Sequence, residues 1–200
     1  MQTGLLTQQE TIALLGPHAT TLYECVERAW RRWERHPDFA TASKRTRASV
    51  VYDYITDEAE RAFSDVRGVR LTWKYGTLRL VIFDTAVIRF KKFRGRRLRT
   101  SGISTNARNS FLAQEGTLNG MVVTNLVVGY LLDQLEMEPA RIAMTCPLDD
   151  GNLWTLDLAG SMSDDHEADV TQISQPSPAV ARTTIRSTQA KPKDDAVNEE

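Results

Sequence analysis

Two apolar runs rich in β-branched and aromatic residues, 77–83 and 86–93, are separated only by Asp84-Thr85. Runs of this kind joined by a two-residue polar gap specify an antiparallel hairpin. In the first run Leu78, Leu80 and Ile82 share one face, and Arg79, Val81 and Phe83 the other. Both faces are mostly apolar, so this strand is expected at the centre of a sheet covered on both sides. Arg89 interrupts the second run between Ile88 and Phe90. A guanidinium there is costly unless it is paired or reaches the sheet edge. The residues leave two roles open for it: a strand-edge arginine paired with a carboxylate such as Asp84, or an inward arginine that binds an anion.

The hairpin runs out into Lys91, Lys92, Arg94, Arg96, Arg97 and Arg99, six cations in nine residues. They belong to an asymmetry that the net charge of −1 conceals. Residues 44–108 carry 16 Lys and Arg against 6 Asp and Glu, whereas residues 160–200 carry 4 against 8. A basic body with an acidic tail fits a polyanion partner and a tail able to screen that surface. The plainer reading is a solvated, Arg-rich face.

Before the hairpin the chain reads as helical. Thr7 and Glu10 have capping-box spacing, and Gly16-Pro17 reads as the stop of a short first helix. A second helix is expected over 20–35, with Leu22, Val26, Ala29, Trp30 and Trp33 on one face as core anchors. A third is expected over 42–63, with Val50, Tyr54, Ala59 and Phe63 buried. Its Asp53, Asp57, Glu58 and Glu60 read as a solvated face near arginines. A strand over 69–74 turns at Tyr75-Gly76 into the hairpin. Ser104 opens a helix over 105–115 with Ala107, Ser110, Phe111 and Gln114 inward. Strands follow over 126–132, 141–146 and 153–158, the last two joined by the turn 147–152.

Two hundred residues with 41% hydrophobic and 26% charged content suit one globular domain. Cys25 and Cys146 stand far apart without a CxxC, which fits a reducing compartment and two small core residues. The first ten residues lack a basic n-region and an apolar h-region, so no signal peptide is expected. The longest apolar run, 121–132, is too short to span a bilayer. The three histidines lie in separate regions, and no zinc-type spacing, GxSxG, GxGxxG or P-loop occurs. Asp149-Asp150-Gly151 fits a turn.

The element order helix, three strands, helix, strand over residues 50–132 resembles the core of the restriction-endonuclease-like PD-(D/E)xK nucleases. That resemblance implies Asp84 and Lys91 as the matching positions, with Glu58 or Glu60 as the extra carboxylate. Arg89 stands where the family has an acidic residue two before the lysine, which implies a nuclease-like fold that binds without cutting. Residues 8–30 also resemble, loosely, a helix-turn-helix whose second helix would enter the major groove.

The expected architecture is therefore α+β: three N-terminal helices, then βββ-α-βββ with a mainly antiparallel sheet. Residues 1–159 form one domain, with the helical segment 1–40 packed on it. Residues 160–200 lack aromatic residues and sustained periodicity and are expected to be disordered. The preferred function is non-enzymatic: a cytoplasmic binding or regulatory protein, without cofactor or metal, touching nucleic acid through Lys91, Lys92, Arg94, Arg96, Arg97 and Arg99. An accessory role in a bacterial multi-protein system is the imagined setting. The alternatives are a divergent nuclease using Asp84 and Lys91, and a protein-interaction module whose acidic tail docks on a partner.

Overall fold

Thr7 caps a helix that does not stop at Gly16-Pro17. In the computed structural model, which describes residues 4–100, 102–118 and 120–159, helix α1 runs unbroken over Gln8–Glu34. The capping box is formed as the spacing predicts, Thr7 and Glu10 exchanging side-chain and backbone hydrogen bonds. A proline inside a helix costs about 3 kcal/mol. Here the apolar stripe keeps its period across the proline: Leu15, Ala19, Leu22, Val26, Ala29, Trp30 and Trp33 are all buried in one core. Each large apolar side chain buried contributes about 1.5–3 kcal/mol, so the stripe outweighs the break. The two helices expected here are therefore one, and the turn that a helix-turn-helix requires is absent.

Ser43 caps α2, Lys44–Phe63. Its buried face is Val51, Ile55, Thr56, Ala59 and Phe63, one position from the expected stripe through Val50 and Tyr54. Tyr54 lies half-buried at the rim, where the Arg32 guanidinium stacks 3.9 Å from its ring centroid. The carboxylates of α2 face arginines as expected, Asp57 pairing with Arg32 and Glu58 with Arg61.

The strands are β1 (Val69–Lys74), β2 (Thr77–Ile82), β3 (Ala86–Arg94), β4 (Arg99–Thr100), β5 (Thr117–Leu118), β6 (Met121–Val122), β7 (Thr124–Leu132), β8 (Pro139–Leu148) and β9 (Gly151–Asp157). A short helix α3, Asn106–Leu112, lies between β4 and β5. The main sheet has the order β1-β2-β3-β7-β8-β9, with β4 added to β3. Every pairing in it is antiparallel except β3 with β7. That one parallel pair needs a crossover, and the segment with β4, α3 and the β5–β6 hairpin supplies it. The class is α+β with a mainly antiparallel sheet. Gly129 sits beside Lys91 in the parallel pair. A Cβ there would lie 1.9 Å from the Lys91 carbonyl oxygen, so only glycine lets β3 and β7 approach.

One face of the sheet meets α1 and α2. Leu78, Leu80, Ile82, Ile88, Phe90, Leu126, Val128 and Met144 pack there with the helices. The opposite face is covered only in part. Phe111 of α3 packs with Phe93, Leu98, Val127 and Ala143, and Leu118 of β5 packs against Val81, Val87 and Val123. The end of α3 is fastened by a buried polar clasp. The Gln114 amide nitrogen donates to the Asn125 and Pro147 carbonyls at 2.9 and 2.6 Å, and the Asn125 amide donates to Gln114 Oε1 at 2.7 Å. Asn125 Nδ2 donates in turn to the Phe111 carbonyl, 3.1 Å away. Cys25 and Cys146 are both buried and not joined by a disulfide, and Cys146 Sγ accepts from Gln114 Nε2 at 3.5 Å. No described helix is long and apolar enough to cross a membrane. The expected tail, 160–200, lies outside the described residues.

Candidate functional site

Strand geometry divides the six cations expected to act together. Lys91 and Lys92 are neighbours in β3, so they point to opposite faces. Lys92 points to the helix-bearing side and is held by Glu136 at 3.5 Å. The same carboxylate pairs with Lys44 at 3.2 Å and with Arg47. Burial pushes the Glu136 carboxyl up, but the hydrogen bonds from Lys44 and Arg47 and the charge of Lys92 outweigh this and hold it below its ordinary value. Lys92 is thus a structural ion-pair member and leaves the expected contact set.

Arg94 and Arg99 face each other across β3 and β4, and the turn between these strands carries Arg96 and Arg97. All four are exposed, and none makes an ion pair with a described residue. The turn is pinned from beneath by buried Leu98 and by Asn152 Nδ2, which donates to the Arg97 carbonyl at 2.8 Å. Four exposed arginines thus lie within one strand–turn–strand corner.

A second group of cations lies on the partly covered sheet face. Arg79 precedes Leu80 by one residue on β2, and Arg89 follows Ile88 by one on β3, where Leu80 and Ile88 form the last pair of the ladder. The two arginines therefore stand close together on the face opposite Leu80 and Ile88, near enough for the charge of Arg79 to act on Arg89, with Lys91 two residues further along β3. The strands separate at this point. Leu78 gives its amide hydrogen to Tyr52 Oη at 3.0 Å, and the Lys91 ammonium sits 5.8 Å from the Tyr52 ring. Arg89 stacks on Phe111, its guanidinium carbon 3.8 Å from the ring centroid. One helical turn before Phe111, Arg108 donates to the Thr100 carbonyl at 3.2 Å.

No described carboxylate pairs with Arg79, Arg89, Lys91 or Arg108, and the Nε atoms of Arg79 and Arg89 are buried without a hydrogen-bond partner. Asp84, the expected partner of Arg89, pairs with Arg70 instead, at 2.5 Å. Burial, then the charge of Arg79, pushes Arg89 down to about 10. Burial pushes Lys91 below its ordinary value too, helped by Arg89 and Arg108, and burial does the same to Arg79. Cations under this strain with free donors are suited to binding an oxyanion. Beside them a cleft of about 150 Å³ is lined by Arg99, Arg108, Thr145 and the carboxylate-bearing turn Asp149-Asp150.

Sequence reasoning singled out Arg89 and Lys91 but missed Arg79 and Arg108. The signal for Arg79 was hairpin register. A loop of Asp84-Thr85 would oppose Arg79 to Phe90, whereas the actual loop is 83–85, with positive φ at Phe83 and Asp84, which brings Arg79 beside Arg89. Arg108 becomes visible only when the crossover folds back over the sheet.

The residues matching the nuclease pattern are not brought together. Asp84 lies at the opposite end of β3 from Lys91, roughly 20 Å along the strand. Glu58 pairs with Arg61, and Glu60 accepts from Trp73 Nε1 at 2.7 Å. Among the described residues no three His, Cys, Asp or Glu side chains are grouped to hold a metal ion. Compared with protein-family models, with curated proteins and with solved structures, the chain finds no match in any of the three.

Proposed function

We propose that this protein is a non-enzymatic nucleic-acid-binding protein that contacts the phosphate backbone through the corner formed by β3 and β4. Arg94, Arg96, Arg97 and Arg99 are the contact residues, and Lys91 lies further along β3. The observation that supports this reading is that the four arginines are exposed together without a described carboxylate partner. Arginine forks engage phosphate oxygens in pairs. The contact is one of charge with the phosphate backbone, which carries no sequence information directly. Two buried cysteines without a disulfide fit action inside the cell, in a regulatory or accessory role.

Fluorescence anisotropy with a labelled 20-mer duplex and its single strand, at low salt, tests the proposal. The full chain is expected to bind, and Arg96→Ala with Arg97→Ala to weaken binding about tenfold or more without altering the thermal midpoint. Undiminished affinity in the double variant would remove the corner as the contact. Capture of a single protein partner that survives nuclease treatment, with no affinity for the oligonucleotides, would favour an interaction module instead.

A further inference from the structure

Arg79 and Arg89 are adjacent like charges on a sheet face, an arrangement that destabilises a sheet. Lys91 and Arg108 add to the same local charge, and no described acid forms an ion pair with any of the four, although Asp149 and Asp150 share a cleft with Arg108. Arg89 is not free to swing into solvent, because its guanidinium lies 3.8 Å over the Phe111 ring. The clasp of Gln114 and Asn125 fixes Phe111 in turn, through the bond from Asn125 Nδ2 to the Phe111 carbonyl. The fold thus holds a costly charge in place. The buried Nε donors of Arg79 and Arg89 have no acceptor within the described protein. A rule broken locally at a cost in stability points to a functional site.

We propose that Arg79, Arg89, Lys91 and Arg108 form a recessed site for a phosphate monoester, with Phe111 as the platform that orients Arg89. A monoester carries about −1.5 to −2 charge at neutral pH and three acceptor oxygens. A carboxylate or a backbone diester brings a single charge, and leaves more of the cluster uncompensated. The monoester's oxygens accept from the guanidinium groups of Arg79 and Arg89 and from the Lys91 ammonium, and its charge relieves the repulsion between the two arginines. This goes beyond the surface contact at the strand corner, because it rests on different residues and selects a terminal phosphate.

Thermal unfolding of the full chain in inorganic phosphate, against chloride at equal ionic strength, is the first measurement. About 10 mM phosphate is expected to raise the midpoint by a few degrees. Arg89→Gln is expected to abolish that rise while leaving the midpoint without phosphate no lower than wild type. A merely structural arginine would instead lose stability in both conditions. Lys91→Met provides the same comparison on a second side chain should Arg89→Gln fail to fold. No phosphate-specific rise in the wild type, or a full rise in both variants, overturns the proposal.

Matched oligonucleotides with and without a 5′-phosphate then identify the source. A preference of roughly tenfold for the phosphorylated strand, erased in Arg89→Gln, assigns the site to a nucleic-acid end. A response to inorganic phosphate without that preference assigns it to a small phosphomonoester, and also upholds the site. Loss of duplex binding in the Arg96→Ala, Arg97→Ala variant, with the phosphate response kept, separates the two readings.

Discussion

Arg89 carries two opposed contributions. Stacking on Phe111 stabilises it by about 1 kcal/mol. Partial burial beside Arg79 acts the other way, because the folded chain disfavours its charge. Its folded pKa is depressed, so the unfolded chain holds the proton more tightly, and stability contributed by this group rises with pH from about 10 upward. At neutral pH the charge is a net cost. Allowing for its remaining solvent contact, Arg89→Met is expected to gain about 1 kcal/mol, a midpoint rise of roughly 2–4 °C by calorimetry. A fall of similar size would mean that the residue is structural. Phosphate binding should itself be bell-shaped in pH. It weakens below about pH 6 as the monoester takes up its second proton. It weakens again on the alkaline side earlier than an ordinary lysine would dictate, because burial, Arg89 and Arg108 depress Lys91. Arg89 stood out in the sequence because it interrupts an apolar run. Its partner did not, because one residue of loop length decides whether Arg79 faces Arg89 or Phe90.

Among the elements, α3 is the one whose position decides whether the recessed site exists. Seven residues of helix bury one large side chain, Phe111, and are held by the Gln114–Asn125 clasp. Gln114→Ala leaves the Asn125 amide and two carbonyls without their partner, and is expected to cost about 3 kcal/mol in urea unfolding. It should also weaken the phosphate response, since Phe111 and Arg108 are placed by the same clasp. Gly129→Ala tests the parallel seam. Its new methyl would meet the Lys91 carbonyl, so a loss of about 3 kcal/mol or more is expected, whereas a neutral result would contradict the packing of β3 on β7. The β1–β2 hairpin was legible in full because its turn chemistry is local: Tyr75 and Gly76 both take positive φ as the turn requires. The parallel pairing, the short strands β4, β5 and β6, and the clasp were not, since each depends on where the crossover returns. At Gly16-Pro17 the local stop signal was real, and the buried stripe from Leu15 to Trp33 overrode it.

At the scale of the whole molecule, charge is distributed by the sheet rather than by the sequence run. Lys92 goes to Glu136 on the helix side, Lys91 to the opposite face, and the four arginines of the β3–β4 corner to solvent. The core that supports them encloses both cysteines, and burial first of all pushes their thiols up to about 12. At pH 8 only about one thiol in ten thousand is then ionised, so neither should react with a disulfide reagent until urea unfolds the chain. Rapid labelling of the native protein would show the core to be looser than described. The central claim is electrostatic, and the salt dependence of nucleic-acid affinity addresses it most directly. The logarithm of the binding constant should fall linearly with the logarithm of salt concentration, and Arg96→Ala with Arg97→Ala should flatten that slope by about two units. An affinity indifferent to salt, or an unchanged slope in the double variant, would contradict it.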